Sequence, residues 1–598
     1  MKKILALVVA VMMLAAMAVP ALAAVTMDTT VTVDGLMVND AYKLYQVLTW
    51  SQSEGAWKLA TGFTGLQLNG KTAEADVVKE ITDGITQDEA NTIAAMTAAA
   101  SGAPETKTTG TIKSGTSFTY DIASATDTST LGLYMAVITA GTPEYVYNPV
   151  FVAADFEAND TNSINAGTAT YGAQGLAKRQ KIELTKTTSD TNQAIQTAID
   201  SYVGEEVTFD VNTTIPVFLD SYKKPYFTIY DNIETDGINL NADSIEITLG
   251  SGVNAKTYAK TAKDSKLAYD DSIFTVTATA GNNGEYTVTF NETWLGNNVT
   301  AVPVHVQYKG TITNTAAFNL NEDNNTVTVT YSNGPDNEKG AMRDRTNHYT
   351  FSIGAKALGQ SSDEGKTYEL VKVGVDDQGN PVVEKRQVSS WHTEDQRHPL
   401  AGATFGLYTD AACETAYTNA LYPDGATFTT GADGVITFKG LAAGDYYLKE
   451  ISAPGGYIAD SRKVHVNIAA TYETVTVADA VENGINVKGY TVDVLKSYTV
   501  TVNNVSVYNG EVSEEHKDGV YEAASGAVVT TYEFNNDGPH TSSMTTTKTN
   551  DSDLINTQGV ALPSTGGMGT TLLYVGGSIL VLAAVILLVT KRRMGAND

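Results

Sequence analysis

The sequence predicts a mainly β protein of consecutive antiparallel sandwiches, with an apolar segment at each end. Two observations carry the β reading. Runs such as "TVTVDG", "EVTFDVNTT", "FTVTATA", "EYTVTF", "NTVTVTY" and "VITFKG" alternate β-branched or aromatic residues with polar ones. Gly, Asn and Asp separate these runs, the pattern of short strands joined by turns. A third observation frames the chain. Apolar stretches occupy residues 4–19 and 570–590, each flanked by basic residues.

Taken in order, Lys2 and Lys3 precede Ile4 to Val19, and Pro20-Ala21-Leu22-Ala23 follows. This is the pattern of a cleaved secretory signal, expected over 1–23. Residues 24–178 form the first zone. Within it, "GKTAEADVVKEITDGITQDEANTIAAMTAAASG" (70–102) replaces β-formers with Ala and Glu, so a helical insertion is expected there. Polar, Gly-rich "EANDTNSINAGTATYGAQGLAKRQK" (157–181) separates a second zone, 179–336. A second polar break, "SNGPDNEKGAMRDRTNH" (332–348), precedes a third zone, 337–560. The run 570–590 is long enough to cross a hydrocarbon core as a helix. Lys591, Arg592 and Arg593, in the 591–598 tail, would stay on the cytoplasmic side, which places everything between the two apolar segments outside the cell.

The chain of 598 residues has room for roughly three or four domains. Its net charge is −29, which excludes nucleic acid as a partner and suits a soluble, self-repelling exported surface. There is one cysteine, Cys413, so no disulfide can form within the chain. Exported domains without disulfides rely on their cores or on another crosslink. Cys413 has no neighbouring base in the sequence and reads as a small, part-buried residue.

No zinc spacing, phosphate loop or nucleophile elbow occurs, so no metal, cofactor or turnover chemistry is expected. His305, His348, His392, His398, His465, His516 and His540 are scattered singly. Glu205-Glu206 reads as a solvated strand end.

Just before the C-terminal span stands Leu562-Pro563-Ser564-Thr565-Gly566. Pro563 removes a backbone donor and biases Leu562 towards an extended conformation, which suits presentation in an enzyme cleft. The order Leu-Pro-x-Thr-Gly, apolar span, basic tail resembles the sorting signal of Gram-positive surface proteins handled by sortase transpeptidases. The resemblance implies cleavage between Thr565 and Gly566, with Thr565 passed to a lysine or to peptidoglycan.

The second zone contains "YVGEEVTFDVNTTIPVFLDSYKKPYFTIYDNIETDGI" and "NNTVTVTYSNGP". It resembles the isopeptide-forming domains of sortase-assembled fimbrial proteins, in which a first-strand Lys is joined to a last-strand Asn beside a buried carboxyl. The resemblance implies Lys186 in "IELTKTT", Asp231, and Asn325, with Asn333 as the alternative Asn. The chemistry needs these three types together. Burial favours a neutral, nucleophilic amine and a protonated carboxyl. The acid polarises the Asn amide, the amine attacks and ammonia leaves.

The third zone contains "PLAGATFGLYTD", "GADGVITFKGLAAGDYYLKEISAPGGYI" and "LINTQGVALPSTGG". It resembles the Cna B-type, prealbumin-like pilin domain, which implies Glu450 as the acid and Asn556 as the bond acceptor. The lysine is Lys372 in "YELVKVG" or Lys356 in "FSIGAKALG". Leu370 and Lys372 share one face of an otherwise apolar strand, which favours Lys372. Inserts at 376–398 and 485–550 lengthen this zone beyond the family pattern.

Shaft pilins also carry an acceptor lysine eight residues before the isopeptide lysine. Lys178 holds that position without the family's Tyr-Pro, and Lys181 is its neighbouring alternative. Together the resemblances imply tandem immunoglobulin-like, Cna-type sandwiches in the shaft subunit of a cell-wall-anchored pilus. Its partners would be sortase, neighbouring subunits and peptidoglycan. The alternative is a wall-anchored adhesin that binds a host-surface ligand without polymerising.

Overall fold

The computed structural model describes residues 29–594, apart from 99–102, 123–127, 155–170, 191–192, 194, 219–221, 223, 261–267, 317–321, 335–337, 355–366, 369, 390–391, 513–533, 536–541, 544–553 and 559–567. The expected signal segment, the 562–566 pentapeptide and Lys356 lie outside the described residues. Within them the protein is mainly β, with few helices and a long apolar helix, Met568–Met594, near the C-terminus. An 18-residue window of that helix, Val575–Arg592, has a mean hydropathy of 1.9, apolar enough to cross a membrane.

In the first zone, strand Thr30–Asp34 lies between Ser117–Asp121 and Gln174–Leu176. A four-stranded sheet, ordered Thr106–Thr111, Ala41–Gln46, Gly132–Thr139, Val150–Ala154, packs nearby. Alternation explains the first of these strands: Val31 and Val33 are buried while Thr30 and Thr32 are not. The helical insertion expected over 70–102 is two helices, Glu74–Asp83 and Gln87–Ala95. Gly84, at φ +110°, ends the first, and Thr86 starts the second through a reciprocal capping box with Glu89. Two helix signals within four residues outweigh the continuous Ala/Glu composition.

The second zone is a sandwich. One sheet runs Leu184–Ser189, Glu206–Ile215, Val302–Ile312, Ile238–Leu249, Lys256–Ala259. The facing sheet runs Phe274–Thr279, Glu285–Phe290, Phe227–Ile233, Asp323–Ser332, Lys339–Tyr349. Apolar residues from both faces, among them Phe209, Phe227, Val306, Val327 and Val329, form one core.

From Lys339 onward, the polar stretch 332–348, expected as a break between zones, is a strand of the second sandwich. Lys339–Tyr349 pairs along its length with Asp323–Ser332. Its polar side chains are held by partners: Arg345 by Glu322 at 2.7 Å, and Asn347 by the Asp493 carbonyl at 2.9 Å. Composition alone reads such residues as solvated. The far edge of this strand is covered by Ile485–Lys488 from the later insert, with Arg343 clasping Glu482 through two hydrogen bonds of 2.8 and 2.7 Å.

The third zone is built on a seven-stranded sheet, ordered Thr427–Thr429, Thr404–Tyr408, Gly444–Ser452, Lys463–Thr476, Thr491–Val502, Val505–Val512, Phe534–Asn535. Against it lie two strand pairs: Phe351–Ile353 with Phe438–Leu441, and Lys372–Val375 in parallel with Leu554–Thr557. The last pair joins the beginning of this zone to its end.

Candidate functional site

In "LTKTTS" the inward positions of strand Leu184–Ser189 are Lys186 and Thr188, so the pleat sends a lysine into the core. Lys186 is 0% exposed. Asp231 arrives from the opposite sheet, in the middle of Phe227–Ile233, and Asn325 from the adjacent strand, whose register pairs Asn325 with Ile233. The three meet between the sheets. Lys186 Nζ donates to Asp231 Oδ2 at 2.5 Å and to Tyr308 Oη at 2.7 Å. Tyr308 in turn donates to Asp231 Oδ1 at 2.7 Å, and its oxygen accepts from Asn325 Nδ2 at 2.6 Å. Asn325 Oδ1 is buried and has no hydrogen-bond partner among the described residues.

Burial lowers the Lys186 amine below its usual range, even against the opposing pull of the Asp231 charge. It likewise raises the Asp231 carboxyl, against the lysine beside it. Both shifts favour a neutral amine beside a protonated acid. Aromatic rings enclose the amine: Phe209 and Tyr308 stack with centroids 4.9 Å apart, and Nζ lies 5.4 and 5.3 Å from them. Asp344 Oδ2 accepts from the Lys186 backbone N–H at 2.6 Å and fixes the strand. Asn333, the alternative acceptor, is eight residues from Asn325, roughly 26 Å along an extended strand, and makes no contact with Lys186 among the described residues. The strand carrying Asn325 is not the last of this sandwich, because Lys339–Tyr349 follows it.

A second cluster lies at the joined ends of the third zone. Leu370, Val371, Lys372 and Val373 are all buried, and Lys372 Nζ lies 3.4 Å from Glu450 Oε1 and 3.1 Å from the Ile555 carbonyl. Asn556 Nδ2 donates to Glu450 Oε2 at 2.8 Å and to the Ile458 carbonyl at 2.7 Å. Burial lowers the Lys372 amine, opposed by the charge of Glu450. The "SAPGGYI" segment has a local role here. Ile458 N–H bonds the Thr557 carbonyl at 2.9 Å, and the Tyr457 ring crosses Gly374, where a Cβ would sit 2.7 Å from its hydroxyl. Glycine at 374 leaves room for that ring beside Asn556, its register partner.

Lys178 and Lys181 are exposed near the junction of the first two zones, and Lys181 pairs with Glu183 at 3.2 Å. Glu205, expected at a solvated strand end, is buried and accepts from the Tyr202 N–H at 3.1 Å. Cys413 is buried at φ +53°, and burial raises its thiol. His348 is fully buried against Thr188, at 2.9 Å.

No sequence motif singles out Tyr308, Tyr286 or Asp344. A signal for the tyrosines does exist. In "PVHVQYKG" and "EYTVTF" they occupy inward positions of alternating strands, and a buried phenol needs a polar partner.

The family described as "SpaA: Prealbumin-like fold domain" matches residues 389–481. The chain is 23% identical over 477 residues to the trypsin-resistant surface T6 protein of Streptococcus pyogenes serotype M6, covering 77% of this chain and 79% of that one. The structure of the T6 backbone pilin of serotype M6 Streptococcus pyogenes aligns with a TM-score of 0.52 at 18% identity, covering 90% of this chain and 100% of that one. The major pilin SpaD of Corynebacterium diphtheriae aligns with a TM-score of 0.39 at 17% identity, over 72% of this chain and 88% of that one. The chain is thus similar, in sequence and in fold, to a streptococcal backbone pilin.

Proposed function

We propose that this protein is the shaft subunit of a covalently polymerised pilus at a Gram-positive cell surface. The reading is carried by two buried Lys–carboxyl–Asn clusters, each bringing together chain segments far apart in sequence. In each, the amine attacks the Asn side-chain carbonyl and ammonia leaves, giving Lys186–Asn325 and Lys372–Asn556 amides. This chemistry runs once, so the protein is a structural subunit and not an enzyme. The sandwiches are of the immunoglobulin-like, Cna type, and residues 1–23 act as an export signal. Sortase exchanges the Thr565–Gly566 bond for one to Lys178 of the next subunit, with Lys181 as the alternative, or to peptidoglycan. The Met568–Met594 helix then serves only the precursor.

Intact mass of the full-length chain tests the stapling. Each link removes one ammonia, and a mass equal to the unmodified sequence would refute it. The polymer is tested by Lys178→Ala in the native host, which is expected to abolish the high-mass ladder in the cell wall. A ladder that survives would move the acceptor to Lys181 or elsewhere, and a wild-type wall without any ladder would favour the host-binding adhesin.

A further inference from the structure

The two clusters differ where the leaving group departs. In the third zone the amide nitrogen to be expelled, Asn556 Nδ2, sits directly on the carboxylate, 2.8 Å from Glu450 Oε2. In the second zone no hydrogen bond joins Asn325 to Asp231 among the described residues. Asn325 Nδ2 rests instead on Tyr308 Oη, at 2.6 Å, and Tyr308 bonds Asp231 Oδ1 at 2.7 Å. The same phenol oxygen is 2.7 Å from the Lys186 amine. A second phenol, Tyr286, donates among the described residues only to Asp231, at 3.4 Å.

Expelling ammonia requires a proton on the amide nitrogen, because an amide anion is a very poor leaving group. Glu450 is placed to supply that proton itself. Asp231 is not, and Tyr308 is the group between them. We infer that Tyr308 is a catalytic residue of the Lys186–Asn325 reaction, relaying a proton from Asp231 to the departing nitrogen. The inference rests on the isopeptide reading of this cluster.

The protons balance as follows. Lys186 first passes one proton to Tyr308 Oη as Tyr308 gives its own to Asp231 Oδ1, leaving a neutral amine and an acid protonated at Oδ1. The Nζ–Cγ bond forms, and Asp231 takes a second proton from Nζ at Oδ2 while returning one from Oδ1 to Tyr308 Oη. Tyr308 passes its own proton to Nδ2, the Cγ–Nδ2 bond breaks and ammonia leaves. Tyr308 ends as it began, and Asp231 ends protonated beside the new amide. No oxidant, metal or water is consumed.

Tyr308→Phe keeps the ring and its stacking on Phe209 and removes only the hydroxyl. The experiment follows, by peptide mass mapping of the full-length chain at timed intervals after synthesis, the crosslinked peptide joining Lys186 to Asn325. The Lys372–Asn556 peptide of the same molecules reports folding. Tyr308→Phe is expected to slow the first link about 100-fold, within the usual range for a positioned acid, and to leave the second unchanged. Tyr286→Phe is expected to change the first link by no more than about twofold, since its phenol does not reach the leaving nitrogen. Equal rates for wild type and Tyr308→Phe, or equal slowing by both phenylalanines, would overturn the relay. If Tyr308→Phe also lost the second link, the comparison passes to Tyr308→His, whose ring can carry a proton. A folded Tyr308→His chain with no first link would likewise count against the relay. Absence of the 186–325 peptide from wild type, with the 372–556 peptide present, would refute the isopeptide reading of this cluster instead.

Discussion

A buried ionisable residue costs stability unless its neighbours compensate, and the second sandwich holds several around one lysine. His348 is the clearest to measure. Burial and then the nearby Lys186 charge hold its ring down to about 3, with the Asp323 backbone opposing slightly. The folded ring therefore holds its proton less tightly than the unfolded ring, whose usual value is 6.5. Its contribution to stability is complete above about pH 6.5 and is lost as pH falls towards 3, at on the order of 1 kcal/mol per pH unit. His348→Gln should flatten the decline of unfolding free energy across that window. Identical slopes for variant and wild type would show that the histidine is not held neutral. Asp344 behaves oppositely: burial raises it to about 6, so its contribution is lost as pH rises through that value.

Single elements here depend on local signals that composition does not reveal. The second helix of the first zone begins at a capping box, and Thr86→Ala should cost about 1 kcal/mol, read as a lower midpoint in denaturant with an unchanged slope. A change under a few tenths would mean the cap is dispensable. In the third zone the parallel pair Lys372–Val375 and Leu554–Thr557 depends on a residue without a side chain. Gly374→Ala puts a Cβ against Tyr457 and should destabilise the pair by on the order of 1–3 kcal/mol. Because the displaced ring lies beside Asn556, the same variant should also slow the Lys372–Asn556 link. A normal rate of link formation would show that the ring does not set the geometry.

Across the whole molecule, the two proposed links define how force passes along the chain. Tension between Lys178 and Thr565 would bypass residues 186–325 and 372–556, each closed by an amide. Only 178–186, 325–372 and 556–565 lie outside those loops and could lengthen, together by at most on the order of 220 Å, with 325–372 held by hydrogen bonds worth roughly 1 kcal/mol each. Strand Lys339–Tyr349 lies in that segment, clamped by Glu322 and Glu482. Single-molecule pulling of wild type should show no longer step, whereas Lys186→Ala with Lys372→Ala should release up to about 1,300 Å. Long steps in wild type would mean that the strands are held without covalent closure.

Much of this was legible from residues alone, because some signals are local. Period-two alternation marked most of the strands, the Ala- and Glu-rich composition of 70–102 marked the helical insertion, and the terminal helix followed from apolar length. Lys186, Asp231, Asn325, Lys372, Glu450 and Asn556 came from motif resemblance. The structure brings each set together, and it leaves Asn333 apart from the first. The strand Lys339–Tyr349, the buried Glu205 and the role of Tyr308 were not legible in the same way. The strand and the phenol depend on partners from other segments of the chain, Glu322 and Asp493 for the one and Asp231 and Asn325 for the other, and Glu205 is buried by its packing. The sequence by itself determined which residues alternate, which segments are apolar and where the chemistry-bearing types lie. Only tertiary structure decided which polar groups are desolvated and what they touch, because burial and pairing belong to facing sheets and not to a single strand.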